Sequence, residues 1–186
     1  MIDNNNLTED NLYKWQRIIG YVPQTIYLTD DTIANNIGFG VPTKELNQQK
    51  IVRAAKIANL DQFVQTLPDD YATFVGERGV RLSGGQRQRI GIARALYHDP
   101  EVLIFDEATS SLDGITESII LEAIDQLAHE KTIIMIAHRL TTVKKCDVIH
   151  ILGDGKVIES DTYENLYKTN ETFRKMADSA QKVSLD

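Results

Sequence analysis

The chain has 186 residues and a formal net charge of −7, a length typical of about one domain. The acidic balance argues against a nucleic-acid-binding protein, because such proteins neutralise phosphates with a surplus of lysine and arginine. Cys146 is the single cysteine, so we expect neither an internal disulfide nor a cysteine-based zinc site. The apolar runs, such as Ile133–Ala137, are far shorter than the about 20 residues that a membrane-spanning helix needs.

Short apolar runs rich in β-branched residues alternate with segments of helical periodicity. This alternation predicts an α/β fold with a parallel sheet and crossover helices. The predicted strands are Ile18–Val22, Val102–Phe105, Thr132–Ala137, Val148–Leu152 and Lys156–Glu159. A long helical insertion is expected between the first two strands.

Three helices are predicted inside this alternation. In the insertion, four apolar residues follow helical spacing and predict one buried face: Ile51, Ala54, Ala55 and Ala58. The next helix is expected from Gly84 to Tyr97, because Asp99-Pro100 disfavours its continuation. The third is expected over Gly114–Ala128, with an apolar stripe formed by Ile115, Ile119, Ala123, Ile124 and Leu127.

The C-terminal part of the chain predicts a hairpin followed by helices. Gly153-Asp154-Gly155 is a turn signal between the last two short strands. Residues Tyr163–Ala180 then predict two polar, amphipathic helical pieces that divide near Asn170.

The segment Leu82–Arg89 places a serine and two glycines directly before a strong helix. Ser83, Gly84 and Gly85 therefore present a hydroxyl and free backbone N–H groups together at a helix start, which favours an anion. A serine-capped helix with a basic surface is the alternative interpretation. Five arginines lie in or around this segment and favour a phosphate-bearing partner: Arg78, Arg81, Arg87, Arg89 and Arg94.

Two carboxylates follow the apolar strand Val102–Phe105. Asp106 and Glu107 are expected at the C-terminal edge of the sheet, where α/β folds bind ligands. Asp106 could hold Mg²⁺ through water, since Mg²⁺ takes one or two carboxylates and keeps several waters. Glu107 could then orient or deprotonate an attacking water. A capped turn without a ligand is the alternative.

Further polar residues are expected near the same edge. His138 follows the strand that ends at Ala137 and could donate to developing phosphate charge, although a structural histidine is the alternative. Gln24 follows Pro23 at the end of the first predicted strand. Its side chain could touch a metal or its water, and the alternative is a polar loop residue. Ser111-Leu112-Asp113 is a weaker signal.

Taken in order, these segments resemble the nucleotide-binding domains of ABC transporters. The segments that carry the resemblance are Tyr21–Gln24, Val75–Gly79, Leu82–Arg89, Leu103–Glu107, Ser111–Asp113 and Ala137–Arg139. The resemblance covers the chain from about Ile2 to Leu166. It implies a P-loop NTPase-like fold, with a parallel sheet, helices on both faces and an inserted helical subdomain.

The resemblance also implies roles for particular residues. Gln24 corresponds to the Q-loop glutamine at the Mg²⁺ site, and Asp106 and Glu107 correspond to the Walker B aspartate and the catalytic glutamate. His138 corresponds to the switch histidine and Asp113 to the D-loop aspartate. The signature that closes over ATP held by the opposite subunit corresponds to Ser83, Gly84, Gly85 and Gln86.

By the same resemblance, the expected function is ATP hydrolysis coupled to substrate transport across a membrane. The implied cofactors are ATP and Mg²⁺, and the implied partners are a second nucleotide-binding domain, arranged head to tail, and transmembrane domains. The location implied is the cytoplasmic face of the inner membrane. The loop Gly76–Gly79 favours an exporter or flippase over an importer. The expected subdivision is a helical and signature subdomain at about 32–100, core strands at 101–160 and C-terminal helices at 161–186.

The chain departs from the family at one motif. It contains no Gly-x-x-x-x-Gly-Lys-Ser/Thr sequence, the loop that cradles phosphates. We therefore expect an N-terminally incomplete domain that is inactive alone. Two alternatives remain: a signature-donating subunit that hydrolyses nothing, and a fragment of a chromosome-maintenance or DNA-repair ATPase.

Overall fold

The computed structural model describes residues 5–109, 112–137, 139–140 and 142–183, with side chains described up to residue 178. The chain forms two compact units that divide between Ile136 and Ala137. This division does not test the expected subdomains at 32–100, 101–160 and 161–186. They remain predictions.

The first unit contains the parallel strands and the helical insertion. In chain order its elements are α1 (Glu9–Arg17), β1 (Ile19–Val22), α2 (Ile33–Ile37), α3 (Gln48–Ile57), α4 (Asp61–Val64), α5 (Gly84–Leu96), β2 (Val102–Asp106), α6 (Gly114–Ala128) and β3 (Thr132–Ile136). Three short 3₁₀ turns lie at Thr43–Glu45, Asp70–Ala72 and Glu77–Gly79. The strands agree with their predicted positions to within one residue.

The three strands form one parallel sheet in the order β1-β2-β3. Tyr21 lies opposite Ile104, and Ile104 lies opposite Ile134. Because the strands are parallel, their C-terminal ends meet at one edge, where Asp106 pairs with Ile136. The predicted α/β fold with a parallel sheet is confirmed.

The hydrophobic core of this unit joins one face of the sheet to the insertion. Leu103 and Phe105 of β2 are buried, and they belong to the same cluster as the predicted face of α3, whose residues Ile51, Ala54, Ala55 and Ala58 are all buried. Tyr21, Ile134 and Ile136 on the other sheet face are exposed. In the described part of the chain, the buried core therefore lies on one face of the sheet.

Helix α6 has the predicted bounds, but its buried stripe differs from the prediction. Ile115 and Ile119 are 77% and 43% exposed, while Ile120 and Ile124 are buried. Glu117 is also buried and accepts a hydrogen bond from the Thr109 hydroxyl at 2.8 Å. Since successive residues rotate by about 100°, a helix that turns Glu117 and Ile120 inward must turn Ile115 outward. The prediction was wrong for Ile115 and Ile119.

A buried hydrogen bond connects α4 to the loop before α5. The Tyr71 hydroxyl donates to the Asp61 carboxylate at 2.6 Å, and the Gln65 amide donates to the second carboxylate oxygen at 3.0 Å. Burial, followed by the bond to Asp61, raises the pKa of Tyr71 well above its ordinary value. Tyr71 therefore remains a hydroxyl donor throughout the neutral pH range.

Replacing Tyr71 with phenylalanine is expected to lower the free energy of unfolding by about 1–3 kcal/mol, because the buried Asp61 carboxylate loses its shortest donor. Urea unfolding of the purified chain measures the change. Tyr13→Phe is the matched control, since Tyr13 is 66% exposed and its variant should change stability by less than about 0.5 kcal/mol. Equal effects of the two variants would contradict a stabilising role for this bond.

The second unit is a hairpin followed by two helices. Strands β4 (Ile149–Gly153) and β5 (Lys156–Asp161) pair antiparallel. Asp154 and Gly155 both have positive φ angles, 50° and 73°, as a type I′ hairpin turn requires. Helices α7 (Tyr163–Thr169) and α8 (Glu171–Val183) divide at Asn170, as predicted. Among the described residues, no helix combines the length and apolar character needed to cross a membrane.

Candidate functional site

The two carboxylates predicted as catalytic follow each other at the end of β2. Asp106 is the last residue of the strand, and Glu107 adopts a left-handed backbone conformation with φ of 49°. That conformation costs about 1–3 kcal/mol for a residue other than glycine, and residues held in it cluster at functional sites. The Glu107 backbone N–H donates to the Ile136 carbonyl at 2.9 Å, which ties the turn to the end of β3.

The end of β1 supplies a hydrogen-bond donor to each carboxylate. The Gln24 side-chain amide donates to Glu107 Oε2 at 2.8 Å, and the Tyr21 hydroxyl donates to Asp106 Oδ2 at 2.9 Å. The structure therefore brings together the predicted residues Gln24, Asp106 and Glu107. It also adds Tyr21, which the sequence analysis did not assign to the site.

The side chains at this edge fit the requirements of a magnesium ion. Asp106 provides one carboxylate and Gln24 provides an amide oxygen, since its nitrogen is the atom that donates to Glu107. Mg²⁺ prefers oxygen ligands and usually combines one or two carboxylates with waters and substrate phosphates. The donor set is therefore suitable for Mg²⁺, and its role as a metal site remains a prediction.

His138 lies outside the described residues, so its predicted place beside the carboxylates is not tested. The described strand before it, β3, ends at Ile136 on the edge that carries Asp106. Ser111, from the weak Ser111-Leu112-Asp113 signal, also lies outside the described residues. The roles predicted for both residues remain predictions.

The predicted signature forms the start of α5, and Ser83 is its N-cap. The Gln86 backbone N–H donates to the Ser83 hydroxyl at 3.2 Å, while the Ser83 backbone N–H donates to the Gln86 side-chain oxygen at 2.8 Å. This reciprocal capping box satisfies two groups that a helix start otherwise leaves open. Ser83 and Gly84 are exposed, and Gly85 is half-buried. The segment therefore remains accessible to another molecule.

The first turn of α5 has room for a close approach to its backbone. The N–H groups of Gly84 and Gly85 lie in the first turn, where a helix provides no acceptors for them. A Cβ atom built on Gly84 would meet nothing nearer than an Arg87 side-chain nitrogen at 3.9 Å. The fold of this chain alone therefore does not require glycine at position 84 for steric reasons.

Arginines around this helix make hydrogen bonds within the chain, and their predicted contact with a phosphate-bearing partner remains a prediction. Three of the five donate to backbone carbonyls of their own chain: Arg87 to Leu82 at 2.6 Å, Arg89 to Asn59 at 2.7 Å, and Arg94 to Asn36 at 2.8 Å. These side chains hold α5 against the rest of the insertion, because carbonyls in its loops and in the last turn of α2 need donors. Arg78 and Arg81 are exposed.

Asp113 caps the start of α6. Its carboxylate accepts from the Thr116 backbone N–H at 3.0 Å and from the Thr116 hydroxyl at 2.7 Å. Hydrogen bonds from Thr116, first from its backbone and then from its side chain, lower the pKa of Asp113 below its ordinary value. Asp113 is exposed, and the contacts recorded for it explain a capping role, while its predicted contact with nucleotide remains a prediction.

The loop before the signature has a backbone that needs glycine. Gly76 and Gly79 have φ angles of 76° and 70°, a region that side chains disfavour. A Cβ atom on Gly79 would also lie 2.8 Å from a Leu28 methyl group. The two glycines therefore fix the backbone path of the segment Gly76–Gly79, which leads to Leu82 and α5.

Comparisons with known proteins show which family the chain resembles. The family model described as ABC transporter matches residues 1–110. The ABC transporter ATM1 of Toxoplasma gondii is 44% identical over 181 residues, covering 97% of this chain and 16% of that protein. The ATP-dependent lipid A-core flippase of Pseudoalteromonas translucida is 44% identical over 173 residues, covering 93% of this chain and 30% of that protein.

A solved structure of a bacterial Atm1-family ABC exporter with ATP bound superimposes with a TM-score of 0.82. Its sequence is 39% identical, and the match covers 88% of this chain and 29% of that one. The chain therefore spans less than a third of each of these relatives. The matches give no support to the chromosome-maintenance or DNA-repair alternative. The chain belongs to the ABC transporter family, as a nucleotide-binding domain of the exporter type.

Proposed function

We propose that this chain is the part of an ABC exporter or flippase that hydrolyses ATP and couples the reaction to movement of a substrate across a membrane. The observation that carries the proposal is the pairing at the sheet edge, where Gln24 donates to Glu107 and Tyr21 donates to Asp106. Two oriented carboxylates at the C-terminal ends of parallel strands are suited to phosphoryl transfer, because catalysis of that reaction depends on positioning and charge stabilisation.

In the proposed reaction, water attacks the γ-phosphate of ATP in line, the bond from the γ-phosphorus to the bridging oxygen breaks, and ADP leaves. Glu107 orients the water and accepts its proton, and Gln24 holds Glu107 in place through the 2.8 Å bond. Asp106 and Gln24 would hold Mg²⁺, which when bound would neutralise charge on the phosphates. His138 donates to the transferring phosphate. Ser83, Gly84, Gly85, Gln86 and Asp113 form the surface that meets ATP held by an opposite domain.

The proposed partners are a second nucleotide-binding domain and the transmembrane domains of the transporter. The exposed start of α5, with Ser83 and Gly84 accessible, supports a head-to-tail arrangement, because its open N–H groups suit a phosphate from outside the chain. The proposed location is the cytoplasmic face of the cell membrane, with attachment through the transmembrane domains.

A non-hydrolysing signature donor is the second candidate function. The accessible helix start at Ser83 and Gln86 is the part of this chain on which that role would depend. In that case the site at Asp106 and Glu107 would be dispensable for the assembly. The two functions therefore differ in their dependence on Glu107.

Mixing experiments test the surface that both functions share. We expect the chain alone to show no ATPase activity, and we expect it to stimulate a family domain that carries an intact phosphate loop, because α5 completes the partner's site. The partner domain alone sets the baseline. Absence of stimulation, with circular dichroism showing both proteins folded, would contradict a signature that acts on a partner.

A further inference from the structure

We propose that Tyr21 is a positioning residue for Asp106. Its hydroxyl fixes the orientation of the carboxylate that would bind the metal. The inference rests on the proposed ATPase function. The geometry points to it because the Tyr21 hydroxyl donates to Asp106 Oδ2 at 2.9 Å, across 85 residues of sequence.

The sheet brings these two side chains together. Tyr21 lies opposite Ile104 in the parallel register of β1 and β2, and side chains two residues apart on a strand share a face. Asp106 therefore lies on the same face as Tyr21, one same-face position farther along β2. A tyrosine ring is long enough and rigid enough to reach that position with its hydroxyl.

The backbone holds this contact in place. Every residue of β1, from Ile19 to Val22, is paired with β2, and Asp106 is itself paired with Ile136 of β3. The strands that carry the donor and the acceptor are therefore fixed relative to each other. The side-chain bond adds orientation of the carboxylate to a distance that the sheet already sets.

The chemistry of the pair suits a metal ligand. A phenol has one proton to donate, and an ionised carboxylate accepts at two oxygens with about four lone-pair sites. The bond uses Oδ2, so Oδ1 retains acceptor capacity toward a metal or its water. A phenol carries its proton at neutral pH, so the donor of this bond is present.

Tyr21 and Gln24 together provide one hydrogen-bond donor to each carboxylate. Gln24 donates to Glu107, the proposed base, and Tyr21 donates to Asp106, the proposed metal residue. The two bonds come from the same end of β1 and reach adjacent residues. Loss of the Tyr21 hydroxyl should therefore weaken metal binding while leaving the chemical step, which depends on Glu107, largely intact.

Tyr21→Phe tests the role because it removes the hydroxyl and keeps the ring. Tyr21 is 51% exposed, so we expect little change in thermal stability. In the complete transporter, we expect the affinity of the ATP complex for Mn²⁺, measured by electron paramagnetic resonance, to fall about three- to tenfold, as for loss of a partly solvated charge-assisted bond. The Mg²⁺ concentration for half-maximal ATPase should rise by the same factor, with kcat at saturating Mg²⁺ nearly unchanged.

Tyr27→Phe is the matched control, because Tyr27 is another exposed tyrosine of the same unit and its backbone carbonyl bond to Arg94 survives the change. The control should leave Mn²⁺ affinity unaltered. Asp106→Ala, which removes the acceptor, should abolish the difference between tyrosine and phenylalanine at position 21, as expected for residues that act as a pair.

The outcomes separate this inference from the function on which it rests. A transporter that hydrolyses ATP normally, with equal Mn²⁺ affinity in Tyr21→Phe and wild type, would overturn the role of Tyr21 and leave the ATPase proposal standing. A wild-type transporter that neither binds Mn²⁺ with ATP nor hydrolyses ATP would overturn both. Weaker Mn²⁺ binding in Tyr21→Phe that persists in the Asp106→Ala background would show that Tyr21 acts elsewhere and would also overturn the inference.

Discussion

Glu107→Gln in the complete transporter is expected to lower ATP turnover by about 10²–10⁴-fold, the usual contribution of a positioned general base, while ATP remains bound. Glutamine preserves the size of the side chain and can still accept the hydrogen bond that Gln24 donates to Glu107. It cannot accept a proton from water. Steady-state phosphate release gives turnover, and retention of labelled ATP on a desalting column gives binding.

Glu101→Gln provides the matched control for this variant. Glu101 is an exposed residue directly before β2, and its backbone bonds to Ile18 and Thr132 do not involve the side chain. The control should retain wild-type turnover. Substantial hydrolysis by Glu107→Gln would move the base to another residue, and would favour the signature-donor function for this chain.

Gly84→Val is expected to lower ATPase activity of the assembled transporter by about 10²-fold or more, as for the loss of one preorganised donor in an oxyanion-type site, because the side chain would block access to the backbone N–H groups. The first turn of α5 has open space around Gly84, so the isolated fold tolerates a side chain there. A nucleotide that approaches the Gly84 and Gly85 N–H groups from an opposite domain would meet the valine methyl groups instead. Steady-state ATPase measurements on the purified assembly check the loss.

The thermal midpoint of the chain separates this effect from misfolding. The thermal midpoint should change little in Gly84→Val, because the Ser83–Gln86 capping box does not involve the position that a side chain at residue 84 would occupy. Wild-type turnover in Gly84→Val, at an unchanged midpoint, would show that no ligand approaches this helix start. A large fall of the midpoint would contradict the open space that the structure shows at Gly84.

The fold was predictable where the pattern is local. Apolar β-branched runs located β1, β2 and β3, and the spacing of Ile51, Ala54, Ala55 and Ala58 identified the buried face of α3. The stripe of α6 was not predictable, because isoleucines occur on more than one side of that helix. The buried bond between Glu117 and Thr109 decides which side faces inward, and no local pattern reveals it.

The site was predictable for residues that stand at strand ends and less so for those inside strands. Gln24, Asp106 and Glu107 each end or follow a strand, and parallel strands bring such positions together. Tyr21 lies within β1, so its contact with Asp106 follows only from the register Tyr21–Ile104. That register depends on how the sheet assembles.

The arginines near α5 show a second limit of prediction from the sequence. Their local excess predicted a phosphate-binding surface, yet Arg87, Arg89 and Arg94 donate to carbonyls of their own chain. Sequence composition counts charges without showing which of them the fold uses internally. Loop carbonyls beside a helix are strong competitors for guanidinium groups, because buried backbone acceptors require partners.

We propose that the start of α5 contacts a nucleotide triphosphate held by another domain. An ATP analogue with a photoreactive group on the γ-phosphate, bound to a family domain with an intact phosphate loop, tests that claim when it is irradiated with this chain present. Trypsin cuts after Arg81 and Arg87, so we predict that mass spectrometry will find the label on the peptide of residues 82–87. Label confined to the partner domain, or attached elsewhere in this chain, would contradict the claim.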